Sequence, residues 1–300
     1  MPRDVPYIKN FRAVPRTNAR IFRSARLDGT SNASLSASAA GIEEFFLSHV
    51  TLVIDLRAPS EYNIRKNTEL WAKGATEEKP FRFVVDKIAD DGIISDVAQH
   101  VGHRWIVCLN LTDKITHRVH EFADSANPKL SGFEKLVLLV NQHGLLGLYK
   151  LILGQTEAIS KVLKIITEHL QADPNHKVLV HCMQGKDRTG IISMLIASIA
   201  GASDEEIVQD YALSNGVVTI DHLTSNLQSK ALSLQSTFLQ HFDDSHLAEA
   251  APREAMREVL RYLRSSYGSV SNYLCSIGFD SAWQTRLRSS LGWGFCPSCL

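Results

Sequence analysis

The chain has 300 residues, 44% of them apolar, which is enough to bury a large core. No linker, internal repeat or low-complexity tract divides it, so the expectation is one domain over residues 1–300. With 32 lysines and arginines against 32 aspartates and glutamates, a global basic footprint for nucleic acid or an acidic membrane is excluded, and anion affinity has to be local.

In chain order, the Ser/Ala-rich stretch Ser31–Ala40 reads as a surface loop ahead of a helix. Strand candidates follow at Thr51–Leu56, Phe81–Val85 and Trp105–Leu109, each rich in β-branched or aromatic residues and bounded by polar or Pro/Gly punctuation. Ile152–Leu170 repeats apolar residues at helical spacing and stops before Asp173-Pro174-Asn175. A fourth strand, Lys177–His181, contains the run Val178-Leu179-Val180, and Ile191–Ala200 reads as a core helix beginning near Thr189. Between Ile220 and Leu247 the apolar residues Leu223, Leu227, Leu232, Leu234, Phe238 and Phe242 again keep helical spacing. Arg253–Tyr267 carries Met256, Val259, Leu260 and Leu263 on one face and closes at Gly268. Strands alternating with helices and followed by a helical run predict an α/β fold, a mainly parallel sheet between helical layers in a three-layer αβα arrangement, with extra C-terminal helices. Such sheets bind ligands at the carboxyl ends of their strands.

Five cysteines in a chain of this length argue against a disulfide framework and for a reducing compartment. The first residues lack the basic segment and apolar run of a secretory signal, and the apolar stretches Leu145–Leu153 and Ile191–Ala202 are too short to span a bilayer. The expectation is a cytoplasmic protein with no stable membrane insertion and no nucleic-acid partner. Cys108 and Cys275 read as core packing. Cys296 and Cys299 have the spacing of half a zinc site, but two ligands do not close one. The twelve histidines form no ligand spacing, so neither metal nor cofactor is expected.

The chemistry is concentrated in His181-Cys182-Met183-Gln184-Gly185-Lys186-Asp187-Arg188-Thr189-Gly190, between an apolar strand and an apolar helix. A thiol is a strong nucleophile when its pKa falls below the free value of about 8.5, which helix N-termini and nearby cations bring about. Cys182 has both. Backbone N–H groups from Met183 through Thr189 can curl around a tetrahedral oxyanion, and Gly185 and Gly190 allow close approach. Arg188 offers a planar fork to two phosphoryl oxygens and Lys186 adds a cation beside them. The Thr189 hydroxyl can reach the cysteine sulfur, and His181 is placed to orient the loop. The segment reads as a phosphate-binding nucleophile loop.

That loop resembles the signature of the cysteine-dependent protein tyrosine phosphatases, and in particular of a branch that includes a secreted mycobacterial phosphatase of phosphoproteins and phosphoinositides. The likeness extends to Asn10-Phe11-Arg12, Arg20-Ile21-Phe22-Arg23-Ser24, Val53-Ile54-Asp55-Leu56-Arg57 with Glu61, Gly201–Ser214, and Tyr267-Gly268-Ser269 with Tyr273-Leu274. It covers residues 8–291, is weakest over 63–145, and leaves 292–300 as an unmatched tail. Tyr149 and Tyr211 also resemble positions of that branch, although aromatic residues on helices more often pack. Where the branch follows Asn-Phe-Arg with an aspartate, this chain has Ala13. The resemblance implies a phosphatase-type fold, no cofactor, a phosphocysteine intermediate on Cys182, and a phosphorylated protein or a phosphoinositide as substrate, protein phosphotyrosine first. It also implies that residues 220–247 form a mobile lid, against the plainer reading of packing helices.

A carboxylic acid must handle the proton of the leaving group and of the attacking water. Asp187, inside the loop, stands first, and Asp113, after a strand as in the resembling branch, stands second. Asp86 holds a similar strand-end place, while Asp55 with Arg57 and Glu61 reads as a supporting ion-pair cluster. Arg57, Arg65 and Lys66 could supply a second anion site if they fold nearby. A sulfur or arsenate transferase would lack the arginine or carry a resolving cysteine close by, and an inactive phosphoprotein-binding module would have replaced Cys182 or Arg188. Neither pattern is present.

Overall fold

The computed structural model describes residues 10–25, 50–57, 98–101, 104–108, 132–215 and 251–292. The expected loop 31–40, the strand 81–85, the segment 220–247, Glu61, Arg65, Lys66, Asp86, Asp113, Cys296 and Cys299 lie outside the described residues.

Six described strands form one sheet: β1 (Arg12–Ala13), β2 (Ile21–Ser24), β3 (Leu52–Asp55), β4 (Ala98–Val101), β5 (Arg104–Cys108) and β6 (Val178–His181). Their spatial order is β1-β2-β6-β3-β5-β4. The four inner strands run parallel, and β1 and β4 pair antiparallel at the edges. Every residue of β2, β3 and β6 is buried. Because successive side chains point to opposite faces, complete burial means that both faces of these strands are covered, the condition under which parallel strands are stable. Two of these strands are legible as apolar runs. β2 is half polar, Ile-Phe-Arg-Ser, and escapes a reading by hydrophobic pattern.

Register fixes what the strand ends present. Ser24, His181, Asp55 and Cys108 lie side by side across β2, β6, β3 and β5 as the last residue of each strand. The chain therefore leaves all four parallel strands along one line.

The first helix, α1 (Gly132–Leu153), is interrupted at Gly144, where φ 63° and ψ −173° break the helical path. Its second stretch buries Tyr149, Ile152 and Leu153. α2 spans Thr156–Ala172 and not the expected Ile152–Leu170. Apolar periodicity runs through the junction and hides it: Gly154 closes α1 by donating to the Lys150 carbonyl, and Ile152 and Leu153 belong to the earlier helix.

Helix α3 (Asp187–Ile199) is the central post, buried from Thr189 through Ala197 and again at Ile199. A helix apolar on all sides needs cover on all sides. It packs on β2 and β6, and α1, α4 (Asp204–Ala212), α6 (Val270–Ser276) and α7 (Ser281–Ser290) close around it. α4 opens with a capping box between Ser203 and Glu206. α5 (Arg253–Tyr267) lays Met256, Val259, Leu260 and Leu263 on the core and ends at Gly268 with φ 82°, as its sequence predicts.

Cys275 corrects an expectation. It is exposed, because the short α6 spends its inner face on Val270, Tyr273 and Leu274 and turns the next residue outward. No helix among the described residues is long and apolar enough to cross a membrane.

Candidate active site

β6 delivers the chain into the loop, and Cys182, 2% exposed, is the first residue past the strand. α3 starts five residues later at Asp187, with Lys186 as its N-cap. The cysteine thus sits between a strand end and a helix N-terminus, where the helix dipole favours negative charge.

Gly185 decides the shape of the turn. Its φ is +68°, and a Cβ there would lie 2.2 Å from the Ser24 carbonyl oxygen and 2.4 Å from its carbon. The end of β2 occupies the space a side chain would need. Gly190 serves packing: a Cβ would stand 3.4 Å from Tyr211 Cδ2 and 3.7 Å from Arg23 Nη2.

The loop's carbonyls are pinned from outside. Asn10 Nδ2 donates to Gln184 O at 3.1 Å and to Gly185 O at 3.0 Å, while Arg23 Nη2 donates to Gly185 O at 2.7 Å. In a planar trans peptide the N–H points opposite to the carbonyl, so these bonds turn the Gly185 and Lys186 N–H groups to the other side of the loop. That is the orientation an anion cradle requires.

The pins are themselves held by charge. Arg23, 1% exposed, pairs with Asp210 of α4, and Arg12 joins the same carboxylate through Nε at 2.7 Å. Burial, with Arg23 adjacent, lowers the Arg12 pKa to about 10 against the opposing pull of Asp210. Asn10 takes a left-handed φ of 59°, which asparagine tolerates, and its amide also reaches Ser214 Oγ at 3.2 Å. Ala13, where the resembling branch carries a carboxylate, is exposed on edge strand β1 opposite Phe22. The guanidiniums of the neighbouring cross-strand pair, Arg12 and Arg23, find their carboxylate in Asp210.

On the nucleophile's strand, His181 places Nε2 3.4 Å from Asp55 Oδ2 and Nδ1 3.3 Å from its neighbour's carbonyl, Cys182 O. Asp55 is gripped by Arg57, Nη2 to Oδ2 at 2.7 Å and Nε to Oδ1 at 3.0 Å, with both side chains nearly fully buried. This cluster braces the exit of β3. Arg188 Nη1 contacts Leu56 O at 3.4 Å, which sets its guanidinium over the same exit.

Asp187, 22% exposed, has its two carboxylate oxygens in different situations. Oδ1 accepts from the Tyr149 hydroxyl at 2.9 Å and lies 3.4 Å from Lys186 Nζ. The Tyr149 and Tyr211 hydroxyls are hydrogen-bonded to each other, their rings edge to face with centroids 6.2 Å apart. Burial raises the pKa of both phenols, and the Asp187 charge raises them further, so both stay protonated.

Thr189 departs from expectation. Its Oγ1 is buried without a hydrogen-bond partner, so the donation to Cys182 sulfur is not formed. Helix α3 begins two residues ahead of the start read from sequence, which carries Thr189 into the first helical turn and its side chain into the core.

The structure thus brings together Cys182, Arg188, Asp187, Lys186, His181, Asp55 and Arg57, with Met183 and Gln184 half-buried on the loop. In the sequence Asn10, Arg23 and Asp210 stand only as points of resemblance, and Tyr149 and Tyr211 read as packing residues. Arg23 after Ile21-Phe22 and Tyr149 after Leu145-Leu146-Gly147-Leu148 carry a local signal, a polar group in an apolar run, while Asn10, Asp210 and Tyr211 carry none. Among the described residues, no group of three or more His, Cys, Asp or Glu side chains is arranged to hold a metal ion.

Comparison with known proteins agrees with this geometry. A family model described as the tyrosine phosphatase family matches residues 4–292. A tyrosine-protein phosphatase of Nostoc commune is 32% identical over 130 residues, 43% of this chain and 44% of that protein. The triple specificity protein phosphatase PtpB of Mycobacterium tuberculosis is 25% identical over 143 residues, 46% of this chain and 50% of that protein. The matched stretch spans about half the length of these curated relatives.

Proposed function

The chain belongs to the tyrosine phosphatase family, and we propose that it hydrolyses phosphoric monoesters through a phosphocysteine intermediate, with protein phosphotyrosine as the first substrate class. One observation carries the reading. A buried cysteine stands where a parallel strand meets a helix N-terminus, on a loop whose carbonyls are pulled outward by Asn10 and Arg23 and whose arginine sits over the neighbouring strand end.

In the proposed reaction, Cys182 Sγ attacks phosphorus in line. The S–P bond forms as the P–O bond to the leaving group breaks, and the leaving oxygen takes a proton from a carboxylic acid. Arg188 and the loop N–H groups hold the equatorial oxygens, whose charge redistributes in the transition state. Water then attacks the phosphocysteine and gives up a proton to the carboxylate. The P–S bond breaks, and inorganic phosphate and the thiolate are released. Asp187 fills the carboxylate role in this proposal because it adjoins Arg188 and keeps one oxygen clear of the hydrogen bonds made by the other. Asp113 stays the second candidate. The chain acts as one domain, and a thiolate nucleophile suits a reducing cytoplasmic setting.

A second substrate class, phosphoinositides, is favoured by Lys186, which puts a further cation beside the loop. The test is phosphate release without added metal from a phosphotyrosine peptide, a phosphoserine peptide and a phosphoinositide panel. Preference for the tyrosine peptide supports the first class and preference for the lipids supports the second. Cys182→Ser should abolish turnover while retaining phosphate binding, and appreciable turnover in that variant would sink the mechanism. Arg188→Lys should lose the bidentate fork and cost about a hundredfold in rate, roughly 2.7 kcal/mol.

A further inference from the structure

We propose that Tyr149 is a positioning residue that fixes Asp187 for proton handling, with Tyr211 as the second link of a one-way hydrogen-bond relay. The proposal rests on the reading of Asp187 as the proton-handling carboxylate.

Asp187 is the first residue of α3. A carboxylate there can turn toward the helix's open N–H groups, a rotamer that would offer no oxygen to a reacting group. Tyr149 removes that freedom. It arises from the second stretch of α1, is 0% exposed, and is anchored among Ile152 and Leu153 in the core. A tyrosine hydroxyl has one proton, and this one is donated to Asp187 Oδ1 at 2.9 Å. The bond between the two phenols must then run from Tyr211 to the Tyr149 oxygen. Tyr211, 1% exposed, lies against Gly190 of α3, so the far end of the relay is fixed by the helix that carries Asp187.

The order Tyr211 to Tyr149 to Asp187 thus closes a ring through α4, α1 and α3. Only Tyr149 donates to Oδ1, with Tyr211 behind it, and no hydrogen bond to Oδ2 is present among the described residues. One oxygen is held and the other is presented. Two buried phenols are also a costly arrangement if packing were their only purpose. A Phe pair would fill the same volume without needing hydrogen-bond partners.

The test uses the full chain with Tyr149→Phe, which keeps the ring and removes the hydroxyl. The expected result is a fall in kcat of about tenfold with KM and the inhibition constant of inorganic phosphate unchanged within about twofold, since the cradle is untouched. In an Asp187→Asn background the same substitution should cost nothing further. Tyr211→Phe leaves the direct bond in place and should show a smaller loss confined to kcat. It carries the test should Tyr149→Phe fail to fold. Wild-type kcat in Tyr149→Phe would overturn the proposal. So would kcat and phosphate affinity falling together, or an undiminished penalty beside Asp187→Asn. An Asp187→Asn enzyme with full kcat would instead overturn the role given to Asp187 itself, whatever the tyrosine variants do.

Discussion

A single hydrogen in place of a methyl group sets the geometry of the candidate site at Gly185. The motif itself marks that position as glycine, but the reason lies far away in sequence, in the Ser24 carbonyl that a Cβ would meet at 2.2 Å. The obstacle is backbone on both sides, so no rotamer change relieves it, and the positive φ adds strain for any other residue. Gly185→Ala should therefore displace the loop from β2 and lower kcat/KM at least about tenfold, with a parallel loss of affinity for inorganic phosphate. Kinetics and phosphate inhibition together check this, and a variant normal in both would mean that loop and strand can part without consequence. Thr189 teaches the complementary lesson. Its residue type suits a hydroxyl donor to sulfur, yet where a helix starts decides where its side chain points, and helix starts are set by caps that sequence marks only loosely.

Among the elements, legibility followed apolar composition. β3, β5 and β6 are apolar enough to be read as strands, and α5 shows its stripe and its glycine stop. β2 does not, because Arg23 and Ser24 are polar yet buried, Arg23 to hold the loop's Gly185 carbonyl and Ser24 bonded to the Ala25 carbonyl. What joins the elements was legible only as resemblance, since an ion pair between β2 and α4 leaves no local pattern. Asp210 is that joint, holding Arg12 and Arg23 and through Arg23 the Gly185 carbonyl. Asp210→Asn would leave the buried Arg23 and the partly buried Arg12 without their countercharge, a loss of about 3 kcal/mol. Urea unfolding should show it as a lowered midpoint. Glu205, which pairs with Arg253 and Arg257 on the exposed side of the same helix, is the control. Its pairs are screened by water, and Glu205→Gln should leave the midpoint nearly where it was. Equal effects would mean that Asp210 is no more a joint than any surface carboxylate.

The molecule as a whole has two poles, the strand ends that carry the loop and the strand starts opposite them. At the second pole Arg20 donates to the carbonyls of Leu170, Asp173, His176 and Ser290, drawing the ends of α2 and α7 onto the sheet. His169 lies in the same cluster, stacked on His176 with ring centroids 4.2 Å apart and bonded to Thr51 Oγ1 at 2.8 Å. Burial, then His176, then the Arg20 charge lower its pKa from 6.5 to about 4. The folded state therefore refuses a proton that the unfolded state accepts between those values. Stability contributed by neutral His169 is complete above about pH 6.5 and is lost as pH falls toward 4. Thermal unfolding from pH 7 to 5, above the range where most carboxylates titrate, should show a declining midpoint that His169→Gln flattens. An equal decline in that variant would place the titration elsewhere. Because this pole is at the far end of the strands from Cys182, its protonation should inactivate slowly, through unfolding, while protonation at the loop should act at once and reverse on return to neutral pH. Initial rates against rates after incubation at pH 5 separate the two, and the His169→Gln enzyme should lose only the slow component.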